Sequence, residues 1–157
     1  MLNSLRRRMS DEGGFTLIEL LVVVLIIGIL SAIAIPAFLS QTSKASDSAA
    51  KTQVGTLQTT METWASENGG SYVNAKKESP TLTELETIEP TLKDTTTAKV
   101  LKNAGTEKGY ELESESISSK DTFKLVDVEG TITRTCKVTS AGSPGGCKGL
   151  VGTSGSW

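Results

Sequence analysis

The stretch GGFTLIELLVVVLIIGILSAIAIPAFL, residues 13–39, decides how the rest of the chain is read. Two glycines precede Phe15, and an apolar run follows that holds one charge, Glu19. About 20 apolar residues suffice to cross a bilayer, so the run is long enough to span one. Arg6-Arg7-Arg8 stands just before it. Basic residues flanking a span stay on the cytoplasmic side, which places the N terminus inside and the chain from Ser40 onward outside. A carboxylate within a span costs several kcal/mol unless it finds a partner, so Glu19 is a candidate functional residue. Pro36 removes one i→i−4 bond and crowds the preceding turn, so a kink or weakened turn is expected near Ile33–Pro36.

Beyond the span the pattern becomes amphipathic. Val54, Leu57, Met61 and Trp64 recur at helical spacing and mark one buried face, with Lys44, Asp47, Lys51, Glu62 and Glu67 on the polar surface. Asn68-Gly69-Gly70 is a stop signal. If the two segments join, one helix runs from Phe15 to about Asn68, on the order of 80 Å. Pro80 and Pro90 bracket Thr81–Glu89, where Leu82, Leu85 and Ile88 suit a helix of about two turns. Asp94–Thr97 reads as loop.

The β region follows. Tyr110–Ile117, Thr122–Glu129 and Thr131–Val138 are rich in strand formers, and Gly130 fits a tight hairpin between the last two. A three-stranded antiparallel meander packed on the Val54–Trp64 stripe is the simplest topology, with room for a fourth strand near the C terminus. Glu111, Glu113 and Glu115 alternate on one strand face and read as a solvated surface that discourages edge pairing. The tail, Thr139–Trp157, has six glycines and little periodicity. It needs a pin other than a core. Cys136 and Cys147 supply one, because an even cysteine count in an exported domain favours a disulfide.

Composition narrows the function. The 157 residues carry a net charge of −2 and no histidine. His-based triads, bases and metal sites are excluded, and no nucleophile–base motif is recognisable, so no enzyme is expected. No cofactor is implied. Lys76-Lys77 and Lys99/Lys102 are too few and scattered to support DNA binding. A calcium site near the acidic strand, Asp121 or Asp127 lacks a dense Asp loop. No N-x-S/T acceptor occurs, and the Thr/Ser-rich surface leaves O-glycosylation open.

Gly14-Phe15-Thr16-Leu17-Ile18-Glu19, the basic leader, the apolar helix and Pro36 resemble type IV pilins and the related type II secretion pseudopilins. The helix, connecting loop, β-meander and cysteine loop are similar to that family in order. The resemblance implies an α+β, pilin-like fold: a leader at 1–14, a transmembrane and filament-core helix at 15–39, its amphipathic half at 40–69, an αβ-loop at 70–108, and a β-meander with a disulfide loop at 109–157. It implies cleavage between Gly14 and Phe15 by a prepilin peptidase, N-methylation of Phe15, and a role in assembly for Glu19 with the neighbouring subunit's Phe15 amine. It further implies loss of helix between Gly28 and Pro36 in the filament, and partners comprising further copies of the chain and the inner-membrane assembly machinery. The chain is then lodged in the cytoplasmic membrane before assembly and in an extracellular pilus after it. The cysteine loop and the lack of a calcium-type loop favour a main pilin, with a pseudopilin or minor pilin as the alternative. Two rival explanations of the N terminus are a simple anchor and a secretory signal cleaved after Ala32-Ile33-Ala34, and the second leaves Glu19 and the Gly14-Phe15 junction unexplained.

Overall fold

A computed structural model of the chain describes residues 14–139 and 146–157. Residues 1–13 of the expected 1–14 leader and most of the Ser140–Gly146 loop lie outside the described residues. The fold is α+β. Helix α1 covers Leu17–Glu67, α2 Leu82–Ile88, and a 3₁₀ turn Pro90–Lys93. The strands are β1 Ala98–Gly105, β2 Gly109–Ser116, β3 Thr122–Val128, β4 Thr131–Lys137, β5 Lys148–Val151 and β6 Ser154–Ser156. Two compact units divide the chain, one ending at Phe38 and the other covering Leu39–Trp157.

The first unit is the apolar part of α1. Its large side chains, from Phe15 through Phe38, are exposed. Pro36 lies inside α1. The helix runs without interruption through Gly28 and Pro36.

In the second unit, Ala50, Val54, Leu57, Met61 and Ala65 of α1 are buried, and Trp64 packs partly buried against the core. Their partners include Tyr110, Leu112, Phe123 and Leu125 on the sheet, and Leu85 and Leu92 from the connector. Threonines 52, 56, 59, 60 and 63 turn their hydroxyls back on carbonyls four residues earlier. This satisfies polar groups that would otherwise compete with the helix. The stop at Asn68 takes the expected form: Gly69 and Gly70 have φ of 67° and 86°, and the Gly70 N–H donates to Ala65 O at 2.7 Å. Glycine accepts this left-handed backbone without a Cβ penalty. The Thr81 hydroxyl and Glu84 carboxylate cap α2 reciprocally.

The sheet is antiparallel and larger than a three-stranded meander. Six strands run in the order β1-β2-β3-β4-β6-β5. Strands β2, β3 and β4 are the three expected ones, in register at Leu112↔Leu125 and Phe123↔Cys136. Two features fall beyond that expectation. Strand β1 lies inside the segment read as loop, with a register shift between Val100 and Lys102 that spoils its alternation. The glycine-rich tail forms β5 and β6, and β6 pairs with β4 at Cys136↔Gly155 and Lys137↔Ser154.

The acidic strand needs correction. Strand β2 is paired on both sides, so its glutamates do not guard an edge. Glu111 instead bridges Lys102 at 2.7 Å and Lys124 at 2.5 Å, and Glu115 meets Lys120 at 3.4 Å. The lysines hold the Glu111 carboxyl below its usual range by hydrogen bonding.

Candidate functional site: the head of the apolar helix

The sequence-derived residues fall into two groups, one in each unit. Gly14, Phe15 and Glu19 sit together at the head of α1, all exposed. Cys136 and Cys147 are joined as a disulfide in the second unit, with Cα atoms 5.9 Å apart and both residues buried. Gly28 and Pro36 lie between, inside the helix, and a Cβ added at Gly28 would meet nothing within 4 Å.

The head of α1 has a detail that the charge of Glu19 alone does not reveal. Glu19 Oε2 accepts hydrogen bonds from the Thr16 backbone N–H at 2.8 Å and from the Thr16 hydroxyl at 2.6 Å. The Glu19 N–H donates to the Thr16 hydroxyl oxygen at 3.3 Å. This is a capping box: the first turn of a helix has N–H groups without intrahelical partners, and the two side chains satisfy them reciprocally. Glu19 also lies in the first turn of α1, where the helix dipole favours a negative charge. The T-x-x-E spacing of Thr16 and Glu19 is the local signal of this cap in the sequence. Both accepted bonds fall on Oε2. Oε1 takes no part in them.

The second unit holds a polar cluster that sequence reasoning missed. Ser46 and Asp47 on α1 are buried. The Ser46 hydroxyl donates to Thr97 O at 2.6 Å and accepts from the Ser116 hydroxyl at 2.9 Å. The Ser119 hydroxyl donates to Asp47 Oδ1, and the Asp121 N–H donates to the Ser119 hydroxyl oxygen at 3.1 Å. Asp121 Oδ1 accepts from the Thr139 N–H at 2.8 Å. Burial pushes the Asp121 carboxyl up, the Thr139 hydrogen bond opposes that, and the nearby Asp47 charge adds to it. These bonds tie α1 to the β2–β3 turn and to the end of β4, and the pattern is that of an internal brace. Asp127, the other aspartate singled out by sequence, accepts from the Gly130 N–H at 2.7 Å and closes the β3–β4 hairpin. Among the described residues no group of three or more His, Cys, Asp or Glu is placed to hold a metal ion.

Glu62, placed on the polar surface by its position in the helix pattern, has two tyrosine partners in the structure. It accepts from the Tyr72 hydroxyl at 2.9 Å and the Tyr110 hydroxyl at 2.8 Å. The two rings meet edge to face, 4.8 Å between centroids. Of the lysines weighed for DNA binding, Lys102 is engaged by Glu111 and Lys77 by Glu107.

Residues 9–35 match the family described as the prokaryotic N-terminal methylation motif. Over 54 residues the chain is 52% identical to the type IV major pilin protein PilA of Myxococcus xanthus, covering 34% of this chain and 24% of that protein. It is 43% identical over 68 residues to a fimbrial protein of Moraxella nonliquefaciens, covering 43% and 44%. A fimbrial protein of Pseudomonas aeruginosa is 40% identical over 86 residues, covering 55% of each chain. The chain thus spans from about a quarter to just over half the length of these relatives. No solved structure matches it.

Proposed function

We propose that this chain, a relative of type IV pilins through its N-terminal segment, is processed and polymerised into an extracellular type IV pilus used for adhesion, motility or DNA uptake. A prepilin peptidase cuts between Gly14 and Phe15, the new Phe15 amine is methylated, and the inner-membrane assembly machinery adds the subunit to the filament. Before assembly the apolar part of α1 lodges in the cytoplasmic membrane with its N terminus inside.

One observation carries this reading: a carboxylate is held at the exposed head of a long apolar helix, capped through Oε2 by Thr16. The Thr16 bonds offset part of the cost of taking Glu19 from water. Oε1 stays available for a cation. The amine created at Phe15 of a neighbouring copy is such a cation, and in a low-dielectric core the pair offsets part of the remaining desolvation. The exposed apolar side chains must stay covered when a subunit leaves the bilayer, and identical helices cover them. Contacts of this head-to-tail kind do not close and so build a helical filament. Gly28 and Pro36 mark where the helix yields during packing.

Mass spectrometry of the mature protein is expected to begin at methylated Phe15. A start at Ile35 would overturn the proposal. Glu19→Gln keeps an acceptor for Thr16 and removes the charge. It is expected to leave cleavage and membrane level intact while cutting sheared filament yield, and unchanged yield would show that the charge has no role in assembly. Electron microscopy of sheared fibres, with the subunit identified, separates a main pilin from a short pseudopilin or minor component.

A further inference from the structure

Two buried carboxyls of the second unit each keep one oxygen that no hydrogen bond reaches. Asp47 on α1 and Asp121, just before β3, are 0% and 1% exposed. Each is engaged through Oδ1: the Ser119 hydroxyl donates to that of Asp47, and the Thr139 N–H to that of Asp121 at 2.8 Å. Among the described residues neither Oδ2 has a hydrogen-bond partner. A buried oxygen left without a donor is costly, the more so when it is charged. The two carboxyls are also neighbours. Ser119 links them, since its hydroxyl donates to Asp47 while its oxygen accepts from the Asp121 N–H at 3.1 Å.

Two carboxylates joined through one serine in a dry site do not both ionise, because like charges repel strongly where water is excluded. The cations packed nearby do not relieve Asp121. Lys51 lies one turn beyond Asp47 on α1, over the Phe123 ring at 5.0 Å, and is attracted to Asp47. Lys148 of β5 acts on Lys51. Lys120 of the β2–β3 turn reaches out to Glu115 at 3.4 Å, and Lys137 at the end of β4 is exposed. Lys51 thus marks Asp47 as the member that keeps its charge. Burial pushes the Asp121 carboxyl up, the Thr139 hydrogen bond opposes this, and the Asp47 charge adds to the rise. A calcium ion takes about six to eight oxygens, and among the described residues no third acidic side chain joins these two.

We infer that Asp47 and Asp121 form a proton-binding site that latches α1 to the end of β4, with one proton on Asp121 Oδ2 donated to Asp47 Oδ2. A single hydrogen bond then satisfies both unpartnered oxygens and leaves the pair with one negative charge instead of two. The protonated carboxyl still accepts from Thr139 through Oδ1, so the brace keeps every bond. The position gives the proton its effect. Here α1, the β2–β3 turn and the end of β4 meet, and Thr139 lies within the loop closed by Cys136 and Cys147. When the proton leaves, two buried carboxylates face each other and the Thr139 contact opens.

The test uses the full chain in detergent, with carbon-13 in the carboxyls of its five aspartates. In the pH range where exposed aspartates have lost their protons, the Asp121 carboxyl signal is expected to hold its protonated position, and neither calcium nor a chelator should move it. Titration of Asp121 together with the exposed aspartates overturns the inference. So does a signal that moves with calcium, which would make this a cation site. Hydrogen exchange at the Thr139 amide reads the latch. Above the ordinary aspartate value of about 3.9, opening releases one proton, so exchange corrected for its intrinsic rate should rise by about tenfold per pH unit until the pair has titrated. A flat profile in the wild-type chain overturns the latch. Asp121→Asn puts an N–H where the shared proton was and keeps an oxygen for Thr139, so this variant should lose the pH slope. A slope that persists in it shows that another group supplies the proton and refutes the assignment. The wild-type measurements stand without the variant should it fail to accumulate.

Discussion

Opening the Cys136–Cys147 bridge should cost the second unit about 3 kcal/mol. The cysteines are 11 residues apart, so the bridge closes a loop of about 12 residues. In the chain-entropy model such a loop removes about 9.5 cal/mol/K from the unfolded chain, or about 2.8 kcal/mol at 25 °C. The unit spans Leu39–Trp157. About 119 residues at about 2.1 cal/mol/K each give an unfolding entropy near 250 cal/mol/K, so the midpoint should fall by about 11 °C. The structure says where the damage begins. Strand β6 is in register with β4 at only two positions, one of them Cys136 itself, and the Trp157 indole N–H donates to Lys124 O at 3.3 Å. The tail should therefore loosen first. The assay is thermal unfolding of the whole chain in detergent, oxidised and reduced, together with the Cys136→Ala, Cys147→Ala double variant. Reduced wild type keeps both sulfurs and the alanine variant loses them. If chain entropy dominates, the two fall by nearly the same amount. A drop below about 3 °C on reduction, or an alanine variant far less stable than the reduced protein, would refute the entropic account.

Three further outcomes are expected. Leu57 is fully buried against the sheet, so Leu57→Ala should cost about 2–5 kcal/mol in denaturant unfolding. The Tyr72 hydroxyl is pushed up to about 12 by burial first and the Glu62 hydrogen bond next, and Tyr110 is raised by the same causes in the same order. An unfolded tyrosine titrates near 10. Between pH 10 and 12 the unfolded chain therefore binds fewer protons, and stability should be full below pH 10 and fall above it. The chain has two tyrosines, so tyrosinate absorbance should rise together with loss of helix signal, and a rise at pH 10 in a folded chain would contradict the geometry. The buried Asp121 carboxyl is also raised. It favours the fold when protonated, and this contribution is lost as pH climbs past the usual aspartate value. Asp121→Asn should raise the melting temperature at neutral pH and leave it nearly unchanged in strong acid; a lower melting temperature at both would show that the charge is needed.

The elements legible in the sequence were those whose signal is local. The 3.6-residue recurrence of Val54, Leu57 and Met61 marks a helix face wherever the partner lies. The alternation in Tyr110–Ser116 and Thr122–Val128 does the same for strands. Strand β1 was missed because it combines a register shift with an exposed, lysine-containing sequence, and β5 and β6 because they are short and glycine-rich. Their strand state comes from neighbours that accept and donate hydrogen bonds, and no local period reports that. At the head of α1 the charge of Glu19 was legible, while Thr16 as its partner became evident only with the cap in place.

By itself the sequence determined a long helix with an apolar head and an amphipathic end, a stop at Asn68–Gly70, a carboxylate at a defined place in the apolar run, and two cysteines near enough to pair. These depend on side-chain type and spacing, which the chain carries everywhere it goes. Only the tertiary structure decided that six strands share one sheet, that Glu111 of β2 bridges lysines on both neighbouring strands, and that the glycine-rich tail pairs with β4. Those outcomes depend on which residues distant in the chain become adjacent, and adjacency across a sheet is created by hydrogen-bond register, not by position in sequence.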